Sequence, residues 1–353
     1  MNRKIRVLIV EDTKIGQGLL KGILAEDSRF DVVGFAGDGA QAVEMVKTLN
    51  PDVVSMDIYM PVMDGVVATK KIMQTHPVPI VIVSSLYSPS EIKMSFKILE
   101  AGAITILAKP FGPGHPQFTQ TARVYRNTLK MISEIKVSLR KEPRIAITST
   151  NFQDSQNHSK IFNPADKTKI IGIGASAGGP LAIQTILSRL TSNLPVPVLI
   201  VQHIDLNFAD GFCEWLSSAS ALPVQIAKHG ETMVPGHVYL PPGDHHLGVQ
   251  REGILTITKD PQERGLRPAV GYLFRKIAEI YGNNSMGILL SGMGADGAIE
   301  LKLLHDKGAV TIAQDAASSL VHGMPGEAIK IGAASMILSP DEIGKEINKT
   351  FIL

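Results

Sequence analysis

Along the first third of the chain, short apolar runs alternate with segments whose apolar residues recur every three or four positions. The runs Ile5–Val10, Val32–Ala36, Val53–Met56, Pro79–Val83 and Ile104–Leu107 read as buried strands, and the segments between them as amphipathic helices. Such alternation predicts a parallel sheet with helices on both faces. The same rhythm returns after position 169, with strands predicted at Ile170–Ile173, Val198–Val201, Val224–Ala227, Met286–Leu290, Val310–Ala313 and Ser335–Leu338. Between Gly236 and Thr258 the pattern changes. Val238-Tyr239-Leu240, Leu247-Gly248-Val249 and Ile254-Leu255-Thr256-Ile257, around Glu252-Gly253, predict a small antiparallel insertion. The pattern as a whole is α/β, with two doubly wound parallel-sheet domains.

Between the two series, Phe111-Gly112-Pro113-Gly114-His115-Pro116 interrupts the fold. Phe118, Ala122, Tyr125, Leu129, Ile132 and Leu139 then recur at helical steps, and Arg123, Arg126, Lys130, Lys136 and Arg140 form a face read as solvated. From Lys141 to Lys169 the chain is polar and reads as a linker. The expected division is a first domain over 1–116, a helical and flexible linker over 117–168 and a second domain over 169–353.

Composition narrows the class. Of 353 residues, 44% are hydrophobic and 19% charged, and the net charge of +2 gives no pull toward nucleic acid or a membrane surface. The single cysteine, Cys213, shares a predicted helix with Phe208, Phe212, Trp215 and Leu216 and reads as core. One cysteine permits no internal disulfide, as expected of a cytoplasmic protein. The apolar run at the start is cut off by Glu11-Asp12, too soon for a signal peptide, and no later run reaches membrane-spanning length, so no membrane insertion is expected.

In doubly wound sheets ligands bind beyond the carboxyl ends of the strands. In the first domain those ends carry Glu11 and Asp12, Asp57, Ser84, and Lys109 followed by Pro110. Three gathered carboxylates repel one another unless a hard divalent cation such as Mg²⁺ sits among them. A lysine and a hydroxyl opposite can hold a phosphoryl group, and a carboxylate can accept one.

In the second domain, Gly174-Ala175-Ser176-Ala177-Gly178 follows a strand and precedes a helical segment, so Ser176 stands on a tight turn, fitting the G-x-S-x-G pattern. Gly172, Gly174 and Ala177 also fit a dinucleotide fingerprint, but that reading wants an acid after the next strand, where Gln202-His203 stands. His203 follows the second strand and Asp296 lies in Ser291-Gly292-Met293-Gly294-Ala295-Asp296-Gly297 after the fourth. A serine needs a base, and the base a carboxylate that fixes its tautomer. The order Ser, His, Asp is not that of α/β-hydrolases. His245-His246 could also line the site, although a loop role fits them better, and no spacing resembles a zinc site.

Two resemblances follow from these residues. Glu11-Asp12, the run Met56-Asp57-Ile58-Tyr59-Met60-Pro61-Val62-Met63-Asp64-Gly65, Ser84 and Lys109-Pro110 resemble the flavodoxin-like receiver domain of bacterial response regulators. This implies Asp57 as phosphoacceptor, Mg²⁺ held by Glu11, Asp12, Asp57 and the Tyr59 carbonyl, and Ser84 and Lys109 as phosphoryl contacts. Gly172 to Gly179, Val201-Gln202-His203, Ser291 to Gly297, Ala313-Gln314-Asp315 and Gly323-Met324-Pro325 resemble the Rossmann-like catalytic domain of the chemotaxis protein-glutamate methylesterase/protein-glutamine glutaminase family (CheB). That resemblance implies Ser176, His203 and Asp296 as a catalytic triad with no cofactor, and the Met293 amide, with Ala177 beside the nucleophile, at the oxyanion. Its implied substrates are glutamyl methyl esters and certain glutamines of methyl-accepting chemoreceptors. Its phosphoryl donor would be the chemotaxis histidine kinase. The chain departs from the two patterns in carrying Ile106 where many receivers have an aromatic residue, Ala177 where the family often has Thr, Ile204-Asp205-Leu206 where a proline is common, and Ala269 and Gly271 in an Arg-Pro-Ser-Val-Asp segment. A receiver-gated esterase acting on another ester, and a signalling protein with a vestigial site, are the competing functions.

Overall fold

The computed structural model describes residues 3–85, 89–135, 137 and 168–351, with backbone alone at 89–94. Strands β1 (Ile5–Val10), β2 (Phe30–Ala36), β3 (Val53–Met56), β4 (Ile80–Ser84) and β5 (Thr105–Ala108) alternate with helices α1 (Lys14–Ala25), α2 (Gly39–Leu49), α3 (Gly65–Thr75) and α4 (Pro89–Ala101). All pairings are parallel, in the order β2-β1-β3-β4-β5. The order reverses between β1 and β3, which opens a crevice at their carboxyl ends. Thr13, Asp38 and Asp64 start α1, α2 and α3, each side chain accepting from a backbone N–H of the first turn.

Helix α5 (Phe118–Ile132), expected to open the linker, lies against this first sheet. Ala122, Tyr125, Leu129 and Ile132 are buried in one cluster with Val7, Ile9, Val53 and Val81, and the Tyr125 hydroxyl donates to Ser55 Oγ at 2.9 Å. Arg126, on the face read as solvated, donates to Glu26 and to the Ile23 carbonyl. Lys136, Leu139, Arg140 and nearly all of the polar stretch from Lys141 to Lys169 lie outside the described residues.

The second sheet has seven strands in the order β14-β13-β12-β6-β7-β9-β8. In chain order the elements are β6 (Ile170–Ala175), α6 (Gly179–Leu187), β7 (Val198–Gln202), α7 (Ala209–Ala219), β8 (Val224–Ile226), β9 (Val238–Leu240), β10 (His246–Val249), β11 (Leu255–Thr258), α8 (Val270–Ile280), β12 (Ser285–Leu289), α9 (Ala298–Asp306), β13 (Val310–Gln314), α10 (Met324–Lys330), β14 (Met336–Leu338) and α11 (Pro340–Phe351). The antiparallel insertion is smaller than predicted. Only β10 and β11 form it, while Val238-Tyr239-Leu240 joins the main sheet in parallel between β7 and β8. All three residues of β9 are buried, which suits a strand covered on both faces.

The two domains touch through α4, α6 and α7. Phe96 stacks on Trp215 at 5.2 Å between ring centroids and also meets Phe208 and Phe212. Glu100 Oε1 accepts from the Trp215 indole N–H at 3.1 Å and from Gln184 Nε2 at 3.2 Å. Each aromatic pair adds about 0.5–1.5 kcal/mol to the area buried, so the contact has a specific geometry and a modest strength.

Candidate functional site

The first crevice collects the residues expected there. Carboxylate oxygens of Glu11, Asp12 and Asp57 lie within 4.8 Å of one another. Lys109 Nζ donates to Glu11 Oε2 and to Asp57 Oδ2, both at 2.7 Å, and the Ile58 N–H donates to Asp57 Oδ1 at 2.7 Å. Burial pushes the Asp57 carboxyl up to about 6, against the pull of Lys109. Glu11 is also pushed up by burial, but hydrogen bonds from Lys109 and Thr13 outweigh that and hold it below the usual range. Burial alone would lower Lys109, and its two carboxylate partners keep it raised. Three carboxylates against one lysine leave an excess of negative charge and a convergent set of oxygens, a donor set that suits a hard divalent cation. Tyr59 and Ser84 line the same cleft, and so does Asn207 of the second domain. Ile106 is buried in the sheet.

The second crevice is set by strand register. Ala175 of β6 pairs with Gln202 of β7, so the residues that follow, Ser176 and His203, leave the sheet side by side. Neighbouring strands are about 4.8 Å apart; among the described residues the His203 ring bonds Asp296, and no hydrogen bond joins it to Ser176 Oγ. The Ser176 N–H donates to the Ser291 carbonyl at 3.0 Å, which ties the Ser176 turn to the loop after β12. Gly292 of that loop lies against Ser176, where an added Cβ would stand 2.8 Å from the Ser176 Cβ. Gly178 has φ +77°, and an added Cβ there would meet Leu320 and Ser291 Oγ within 2.7 Å.

Asp296 is 5% exposed, and its Oδ2 lies 2.8 Å from His203 Nε2. The N–H groups of Val270 and Gly271, the first two residues of α8, donate to Asp296 Oδ2 and Oδ1 at 2.7 and 3.0 Å. A carboxylate on two free amides at a helix N-terminus is held by hydrogen bonds and by the helix dipole together. Burial raises the Asp296 carboxyl, but His203 and these amides outweigh it, so it stays ionised below the usual carboxylate range. An ionised carboxylate only accepts, so Nε2 of His203 carries the ring proton and Nδ1 is left as an acceptor. Over Gly271, a Cβ would come within 2.9 Å of the Glu300 carboxyl, which occupies the space a side chain would need.

Several residues that hold this arrangement stand in the quoted motifs but were given no role from the sequence. Gln202 Nε2 donates to the carbonyls of Ser176 and His203 at 2.8 and 2.9 Å. Ser291 Oγ donates to the Ala177 carbonyl at 2.8 Å, and Gln314 Oε1 accepts from the Ser291 N–H at 2.7 Å. The available signal was that each is a polar residue ending or directly following a buried strand. The N–H groups of Ala177 and Met293 donate to nothing among the described residues. Ala177 and Leu320 pack against the core cluster of the first domain, so that domain lies over the turn after Ser176. His245 bonds within its own loop, and His246 is fully buried behind the site.

A family model described as CheB methylesterase matches residues 171–347, and one described as response regulator receiver domain matches residues 7–117. The chain is 48% identical over 340 residues to a protein-glutamate methylesterase/protein-glutamine glutaminase of Geobacter metallireducens, covering 96% of each chain. It is 45% identical over 339 residues to one of Nitrosospira multiformis, covering 96% of this chain and 95% of the relative. The crystal structure of the Thermotoga maritima CheB methylesterase catalytic domain superposes with a TM-score of 0.50 at 35% identity, over 52% of this chain and 98% of that one.

Proposed function

The chain belongs to the CheB methylesterase family and carries a response regulator receiver domain in front of the catalytic one, and from that premise we propose that it is a phosphorylation-gated serine hydrolase of chemoreceptor glutamyl methyl esters and glutamines. The observation that carries the reading is the Asp296 carboxylate, held on two α8 amides and bonded to His203 at the strand end beside Ser176.

In this reading His203 Nδ1 takes the Ser176 proton as Oγ adds to the ester carbonyl. The resulting oxyanion is received by the N–H groups of Met293 and Ala177, which donate to nothing among the described residues. Asp296 stabilises the imidazolium. His203 then gives its proton to the departing methoxide, releasing methanol and leaving the glutamyl group esterified to Ser176. Water, deprotonated by His203, frees the glutamate carboxylate and restores Ser176. With a glutamine side chain the same sequence releases ammonia.

Asp57 is the proposed phosphoacceptor, with the chemotaxis histidine kinase as donor. Glu11, Asp12, Asp57 and the Tyr59 carbonyl would hold Mg²⁺, which when bound neutralises charge on the phosphoryl oxygens. Lys109 and Ser84 contact the phosphoryl group. The unphosphorylated receiver limits access to Ser176, a role supported by the packing of Ala177 and Leu320 against it. The domains proposed are 1–116, onto which α5 packs, and 169–353, joined by the remainder of 117–168. The reading places the protein in the cytoplasm, where a free thiol and an aspartyl-phosphate relay are at home.

Methanol release from methylated receptor fragments, with and without an acyl phosphate, tests the proposal. Ser176-dependent release that rises with the donor supports it. Turnover of a generic ester with none from methylated receptor would favour the broader receiver-gated esterase.

A further inference from the structure

His246 is wholly buried, polar and outside the mechanism just given. It sits at the start of β10, beneath the first turn of α8. Its Nδ1 accepts from the Ala269 N–H at 3.3 Å, and its Nε2 lies 3.2 Å from the Pro261 carbonyl. An amide N–H can only donate and a carbonyl can only accept. The two contacts are satisfied together by one form of the ring, the neutral tautomer with its proton on Nε2. The ring is fixed from one side by Tyr272, stacked at 4.4 Å and 16°, whose hydroxyl donates to Asp260 Oδ2 at 2.8 Å. The charged groups around this stack are Asp260, Arg275 and Lys276, with Asp244 and Arg267 paired beside it.

Ala269 is the residue before α8 and has no side chain that can cap the helix. The next two N–H groups, of Val270 and Gly271, are those that hold Asp296. We infer that His246 is a positioning residue for the triad: by accepting from the Ala269 N–H it sets the direction of the two α8 amides that present the Asp296 carboxylate to His203. The inference rests on the proposed hydrolase reading. A buried histidine that only filled space would be replaceable by any side chain of similar volume. One acting through Nδ1 would be replaceable only where an acceptor returns to that position.

Asparagine places Oδ1 near the position of Nδ1, whereas glutamine places its amide near Nε2 and leaves Ala269 without an acceptor. The test uses the full chain with acyl phosphate and methylated receptor fragments. His246→Gln should lower kcat by about tenfold to a hundredfold at unchanged KM, the scale on which a slightly misplaced group acts. His246→Asn should stay close to wild type, and both should melt alike. The downfield proton resonance of His203 Nε2–H should persist in His246→Asn and move or broaden in His246→Gln. Equal kcat in the two variants would overturn the inference. Nitrogen-15 NMR of the wild-type imidazoles needs no variant: His246 neutral with Nε2–H at the assay pH is expected, and a charged ring or an Nδ1–H tautomer would also overturn it. Ser176→Ala run in parallel separates the two claims, since turnover surviving that change defeats the hydrolase reading itself.

Discussion

At the scale of single residues, the proposed mechanism gives each group of the second crevice one role and little tolerance. Ser176→Ala and His203→Ala should each remove most methanol release, by about 10⁴-fold or more, with the double variant little worse because the groups act as a unit. Asp296→Asn should be milder than Ser176→Ala, since it leaves the nucleophile and base in place, and steady-state kinetics of the three variants gives the ranking. In the receiver, Asp57→Asn should take up no phosphoryl group from acyl phosphate, read by phosphoprotein mass. It should also change stability with a definite sign. The folded carboxyl titrates near 6, above its unfolded value, so ionising it costs stability that is absent below about pH 4 and fully felt above about pH 6. Without metal, Asp57→Asn should therefore melt above wild type at pH 7 to 8 and level with it at pH 4, as scanning calorimetry would show. The first-domain carboxylates, Lys109, Ser176 and His203 stand out in the sequence as polar side chains directly after apolar runs, and Asp296 as the acid of a glycine-rich loop after one. The amides of Val270 and Gly271 do not, because a backbone N–H leaves no mark in a sequence and its partner Asp296 stands 25 and 26 positions away.

At the scale of elements, most strands could be read from their apolar runs, and the misplaced one shows where that reading fails. Val238-Tyr239-Leu240 is too short to display a period, and its neighbours β10 and β11 do form a hairpin, so proximity in the chain pointed to the wrong sheet. Helix α5 showed its apolar face plainly, but periodicity does not say which sheet that face covers. The contact of α4 with α6 and α7 was invisible for the same reason. Here Phe96 is the central side chain, facing Phe208, Phe212 and Trp215 at once. Phe96→Ala should remove the stacking and loosen the cover over Ala177. Methanol release by the unphosphorylated chain should then rise several-fold, while the phosphorylated chain changes little. A fall in both states would mean that the aromatic cluster supports the catalytic domain rather than restrains it.

At the scale of the whole molecule, two sheets with crevices of different chemistry are joined so that one domain lies over the turn that carries Ser176. A cover of this kind works by population, and phosphorylation shifts it only by the difference in domain affinity between the two states. A fragment beginning near Lys167 should release methanol faster than the unphosphorylated full chain at equal concentration, and a fragment no faster would defeat occlusion as the means of control. The join also has an optical consequence. The chain has one tryptophan, and Trp215 lies in the contact itself, stacked on Phe96 with its indole N–H on Glu100. The protein therefore carries its only tryptophan at the seam, and excitation at the red edge of its absorption leaves the six tyrosines silent. Adding acyl phosphate and Mg²⁺ should shift its emission to the red and make it more open to quenching by iodide, at the rate at which the domains part. Asp57→Asn should show neither change, so that opening could be timed in a stopped-flow cell without any substrate present.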